Sequence, residues 1–135
     1  MITPRQSPKP LLSRTEQMLY GRLVRAFPGH VVLAQVALSR LVDADPSMRG
    51  DPLESVDFVV FHADFTPLAV VELKASALEQ DLAERHRRKD ALLCTAGIKV
   101  LRVSAVDLPR EAALKSLIAA LPIAQPAAPE IRRAS

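Results

Sequence analysis

The sequence predicts an α/β sandwich, a four-stranded mixed sheet flanked by helices, with one further helix at its C-terminal end. Three observations carry that expectation. Runs rich in β-branched residues recur four times, and three stretches of helical period separate or flank them. The second and third runs are joined by a turn of a few residues, which makes a hairpin. The third and fourth are joined by a helix, the connection a parallel pair requires. The predicted order is helix, strand, strand, strand, helix, strand, helix.

Each element has its own signature. In "SRTEQMLYGRLVRAF", Leu19, Leu23 and Phe27 recur every four residues with Met18 and Val24 beside them, and Pro28-Gly29 ends the helix. "HVVLAQVAL" reads as a strand, followed by a polar, turn-rich connection from Ser39 to about Pro52. "ESVDFVVFH" and "PLAVVELKA" form the hairpin around "ADFT". "ALEQDLAERHRRKDALLCTA" is rich in helix formers, and Gly97 stands where a C′ glycine stops a helix. "IKVLRVS" is the fourth strand. Pro109 then begins a last amphipathic helix containing Leu114, Leu117, Ile118 and Leu121. Residues 1–10 and 122–135 carry three prolines each and little pattern; they read as flexible tails around a single folded domain, 11–121.

The bulk composition narrows the function classes. A chain of 135 residues that is 49% hydrophobic makes one domain with a real core. The net charge of +3 is compatible with a nucleic-acid partner without requiring one. Cys94, the single cysteine, can form neither an internal disulfide nor a thiolate zinc cluster; it reads as a small helix residue in a protein of the reducing cytoplasm. No run approaches the roughly 18 apolar residues of a membrane span, so no membrane partner is expected. With four Phe, one Tyr and no Trp, base stacking is not an obvious recognition device, and a protein partner is a possible source of specificity.

The chemistry lies in three polar residues on otherwise apolar strands. Val56, Phe58 and Val60 alternate with Val59 and Phe61, and Val71 and Leu73 with Val70, so both faces of the hairpin should be covered. Asp57, Glu72 and Lys74 interrupt that pattern. An ionised group buried without a partner is costly enough that it normally neutralises, pairs or binds a metal. A turn centred near residue 65 sets Asp57 opposite about residue 73, which gathers two carboxylates and one ammonium. Two close carboxylates repel unless a cation sits between them, and all-oxygen ligation suits Mg²⁺ or Mn²⁺. A lysine beside such an ion can orient and help deprotonate a water while the ion stabilises charge on a phosphoryl oxygen.

Asp57, fourteen intervening residues, then Glu72-Leu73-Lys74, on consecutive strands after a helix and a first strand, resembles the PD-(D/E)xK nuclease superfamily, whose restriction-endonuclease-like core runs αβββαβ. More narrowly, "LLSRTEQMLY", "VDFVVFHADFTPLAVVELKAS" and "RRKDALLCTAGIKVLRVSA", about residues 11–105, look like the bacterial domain of unknown function 2726 family. Valine stands at position 56 where the motif has proline, and Lys74 stands where the narrower family continues with Asp. The resemblance implies a metal-dependent nuclease acting on DNA. In that reading Asp57 and Glu72 are the metal carboxylates, the Leu73 carbonyl completes the coordination, and Lys74 positions the attacking water. First-helix glutamates reach the metal in some superfamily members, which makes Glu16 a further candidate ligand. The alternative is a nuclease-fold module that binds nucleic acid or a protein partner without catalysis; a third reading is an unrelated α/β domain with an internal ion pair.

Other residues have competing explanations. Ser13-Arg14-Thr15-Glu16 fits a capping box, which gives Glu16 a structural role. At 100° per residue, Leu78, Leu82, Leu92 and Leu93 share a face of the long helix; Lys89 falls inside it and Arg85 at its edge, whereas His86 and Arg87 point elsewhere. Arg85 and Lys89 resemble the helical Gln-x-x-x-(Tyr/Arg/Lys) element of several superfamily nucleases, and are the candidate nucleic-acid contacts. Gln35, among apolar neighbours on the first strand, reads as a satisfied core amide, with a minor site residue as the alternative. "DADPSMRGD" lacks the glycine and the final glutamate of a calcium loop and reads as solvated loop. His30, His62 and His86 show no ligand spacing.

Overall fold

The computed structural model describes residues 5–43, 54–74 and 83–122. The "DADPSMRGD" loop after Asp43, Leu78, Leu82 and the chain ends at 1–4 and 123–135 lie outside the described residues, as do the side chains of Arg85 and His86. Seven regular elements follow the predicted order: α1 (Arg14–Ala26), β1 (Val31–Ala37), β2 (Ser55–Phe61), β3 (Pro67–Lys74), α2 (Ala83–Thr95), β4 (Lys99–Ser104) and α3 (Glu111–Ala120). A short 3₁₀ turn, Leu38–Arg40, is added after β1, where the sequence had suggested only a polar connection; it buries Leu38.

The sheet is mixed, in the order β1-β2-β3-β4. β1 and β3 both run antiparallel to β2, and β4 runs parallel to β3 after the α2 crossover. Helices cover both faces, which is why β2 and β3 are apolar on both. On one face, Leu19 and Leu23 of α1 and Leu114 and Ile118 of α3 pack on Phe58, Val60, Val71 and Val103. On the other, Leu93 of α2 packs with Leu38, Val59, Val70 and Ile98. The expected bounds of α3 need correction. The helix starts at Glu111, two residues after Pro109, with Arg110 at the N-cap, and it ends at Ala120, so that Leu121 is its C-cap.

Local chemistry sets the boundaries. Ser13 caps α1 in a full capping box: its hydroxyl accepts from the Glu16 amide at 3.2 Å, and Glu16 Oε1 accepts from the Ser13 amide at 2.8 Å. Gly97, at φ 78°, lets the chain leave α2 in a left-handed turn that other L-residues resist. In the hairpin turn that conformation falls on Phe65, at φ 68°, where no glycine is available.

Candidate active site at the opening between strands two and three

The β2–β3 ladder runs through Val60↔Ala69, Val59↔Val70 and Phe58↔Val71. Continued by one pair, that register sets Asp57 across from Glu72, one residue from the predicted partner. The ladder ends here because a side chain takes over: Asp57 Oδ2 accepts the Leu73 amide at 2.9 Å, the donor the next backbone rung would have used. β2 meanwhile stays paired with β1 as far as Ser55↔Ala37. The two central strands therefore part at Asp57, and the opening holds the predicted carboxylates.

A strand residue presents its N–H and C=O to the same neighbour. The Leu73 amide faces β2, so its carbonyl, the expected third ligand, faces the same side as Asp57. The Lys74 carbonyl faces the other way, accepting from the Ala105 amide at 3.2 Å.

Glu72 is 7% exposed, under α2. Its ammonium partner is Lys89, not its predicted neighbour Lys74. Lys89, itself 6% exposed, brings Nζ to 2.9 Å from Glu72 Oε1 and donates to the Ser55 carbonyl at 3.2 Å, spanning β2 and β3. Lys74 is exposed at the strand end and makes no ion pair within 4.0 Å among the described residues. The helical spacing that turned Lys89 inward is thus realised. Its ammonium is committed to the protein interior, and among the described side chains the exposed cations on α2 are Arg87 and Arg88.

Two residues absent from the sequence expectations complete the cluster. Arg102 of β4, in register with Glu72, holds Nη2 3.9 Å from Glu72 Oε1. Its fork is closed on Asp90 of α2 by two hydrogen bonds of 2.6 Å, which raise the guanidinium pKa against the opposing effect of burial. Lys89 Nζ, at 2.9 Å, is thus the cation in contact with Glu72 Oε1, and Arg102 stops 3.9 Å from the same oxygen.

Asp57 is the carboxylate left over. Burial raises its pKa; the Leu73 amide and Lys89 pull it down, while the charges of Glu72 and Glu16 push it up. Three carboxylates, Asp57, Glu72 and Asp90, face two cations, Lys89 and Arg102. Glu16 is occupied by its cap and by Gln35, whose Nε2 lies 3.4 Å from Glu16 Oε2. Gln35 is exposed rather than a core amide, and it adopts a left-handed φ of 54° in mid-strand.

These residues fit a hard dication. A buried carboxylate, an opposed carboxyl short of a counter-ion and a backbone carbonyl facing the same side make an all-oxygen donor set. Among the described residues no three His, Cys, Asp or Glu side chains converge on one point, so an ion here would rely on two carboxylates, backbone and water, as Mg²⁺ commonly does. An open apolar groove of about 500 Å³ between α1 and β1, lined by Tyr20, Val32 and Leu33 among others, contains no carboxylate, imidazole or cationic side chain for such chemistry.

A protein-family model described as a protein of unknown function (DUF2726) matches residues 8–121. No curated protein and no solved structure matches the chain. No helix among the described residues is long and apolar enough to cross a membrane.

Proposed function

The chain belongs to the DUF2726 family of proteins of unknown function, and from that premise we propose that it is a Mg²⁺- or Mn²⁺-dependent nuclease of the PD-(D/E)xK type, working in the cytoplasm on DNA phosphodiesters. What supports this reading most is the juxtaposition of Asp57, short of a counter-ion, with the buried Glu72 carboxylate where β2 and β3 part. Asp57, Glu72 and the Leu73 carbonyl hold the ion. When bound, the ion would supply Lewis-acid stabilisation of charge on the phosphoryl group. Lys74, on the Glu72 face of β3 and at its exposed end, orients the attacking water from the solvent side. Lys89 holds Glu72 in place at the base of the site. Arg85, with the exposed Arg87 and Arg88 of α2, supplies cations for the nucleic-acid backbone, and sequence specificity comes from a protein partner. The test is cleavage of labelled DNA with Mn²⁺: activity is expected in wild type, and loss with retained fold in Asp57→Ala and Lys74→Ala. No metal-dependent cleavage of any DNA or RNA by wild type would end the enzyme claim.

A second reading, a binding module without catalysis, draws on a different observation. Lys89 and Arg102 already lie within 4.0 Å of Glu72, so that carboxylate has internal counter-charges without a metal. Calorimetric titration with Mn²⁺ separates the two, because the binding module has no need of the ion.

A further inference from the structure

The Asp90–Arg102 pair has no role in the chemistry above, yet it lies against Glu72. We propose that Asp90 and Arg102 are positioning residues: Asp90 holds the Arg102 fork back from Glu72, so that Lys89 alone is in contact with Glu72 and the carboxylate keeps room for a metal ion. This rests on the reading of Asp57 and Glu72 as a metal site.

The topology makes the arrangement. β3 and β4 are parallel with Glu72 paired to Arg102, so both side chains rise from the same face of the sheet, under α2. Consecutive residues of α2 then divide the work: Lys89 reaches Glu72, and Asp90 reaches Arg102. A guanidinium binds a carboxylate best through two parallel N–H bonds. Arg102 gives that geometry to Asp90, at 2.6 Å for each bond, and stops 3.9 Å short of Glu72 Oε1. A shift of about 1 Å would bring Nη2 into hydrogen-bond range.

A network built only for stability would satisfy its buried atoms, since each one left unpaired has a free-energy cost. Here Arg102 Nε is buried without a partner and Arg102 makes no hydrogen bond to Glu72, while its fork on Asp90 is complete. A carboxylate held by one ammonium, with the second cation restrained at 3.9 Å by another acid, is the arrangement a site needs if that carboxylate is not to be closed off by a two-bond guanidinium fork.

The experiment uses the full chain as wild type, Asp90→Asn, Arg102→Gln and the double variant, with Mn²⁺ as probe in calorimetry and circular dichroism to verify the fold. Freed from Asp90, Arg102 closes on Glu72, so Asp90→Asn is expected to weaken Mn²⁺ binding by about 10- to 100-fold, the usual effect of losing an outer-shell partner. Arg102→Gln alone is expected to bind at least as well as wild type, and adding it to Asp90→Asn restores affinity. Unchanged affinity in Asp90→Asn, or a double variant as weak as that single one, overturns the proposal. If Asp90→Asn does not fold, Arg102→Lys carries the test: an ammonium cannot be held in a two-bond fork, the same weakening is expected, and wild-type affinity overturns it. If wild type itself takes up no Mn²⁺, the metal-site reading fails, and urea-unfolding cycles in EDTA decide the restraint separately. Coupling between Arg102 and Glu72 should be larger in the Asp90→Asn background than in the wild-type background; equal coupling refutes it.

Discussion

Replacing Lys89 by methionine retains most of an apolar stem packed under α2 but deletes the ammonium 2.9 Å from Glu72 and 3.2 Å from the Ser55 carbonyl. The Lys89 and Glu72 side chains are 7% and 9% exposed, so solvent offers Glu72 little compensation. Breaking a buried pair by removing one partner costs about 3–5 kcal/mol. Arg102, 3.9 Å away, keeps part of the counter-charge, which puts the expected loss near the lower end, about 3 kcal/mol. For a chain of this length that lowers the melting temperature by roughly 10–15 °C. Lys74→Met, at an exposed strand end, should stay within about 0.5 kcal/mol of wild type. Urea and thermal unfolding followed by circular dichroism in EDTA measure both. A Lys74→Met loss as large as that of Lys89→Met, or a Lys89→Met loss below about 0.5 kcal/mol, would refute Lys89 as the ammonium that supports Glu72.

Asp57→Asn leaves an oxygen to accept the Leu73 amide and removes a charge that burial disfavours. Because the folded pKa is raised, the native state binds this proton more tightly than the unfolded chain. The group's contribution to stability is therefore full below the ordinary value of 3.8 and lost as pH rises through the folded value. The variant should accordingly be more stable than wild type at pH 7 and lose that advantage on acidification; urea midpoints across the range report it, and a wild-type advantage at pH 7 contradicts it. Ser13→Ala removes half of the α1 capping box and should cost about 1 kcal/mol in urea unfolding, whereas Glu16→Gln keeps the box and should keep Mn²⁺ binding in calorimetry. Gly97→Ala meets no steric obstacle, but at φ 78° it should still cost about 1–2 kcal/mol, read from the same denaturation curves.

The order of elements was legible because each strand and helix carries its own period and stop signal, down to Gly97 and the Ser13 box. The Asp57–Glu72 juxtaposition was legible too, since a short hairpin turn sets register to within a residue. Lys89 was legible from helical spacing alone. What the sequence obscured was pairing. Glu72 and Lys74 are two apart on one strand face, which suggested a cluster, but burial ends between them: Glu72 is covered by α2 and Lys74 is not. Arg102 went unnoticed although the same logic applies to it, a charge between apolar Leu101 and Val103 on a strand next to Glu72. Asp90 had no such signal, because an acid beside a lysine on a charged helix looks like any solvated pair, and only the parallel register of β3 and β4 brings Arg102 to it.

Calorimetric titration of Mn²⁺ into wild type, Asp57→Asn and Glu72→Gln addresses the metal site at the β2–β3 opening most directly. One saturable site in wild type, lost in both variants with the fold retained, is the expected result. No uptake by wild type, or the same uptake by all three proteins, would contradict it.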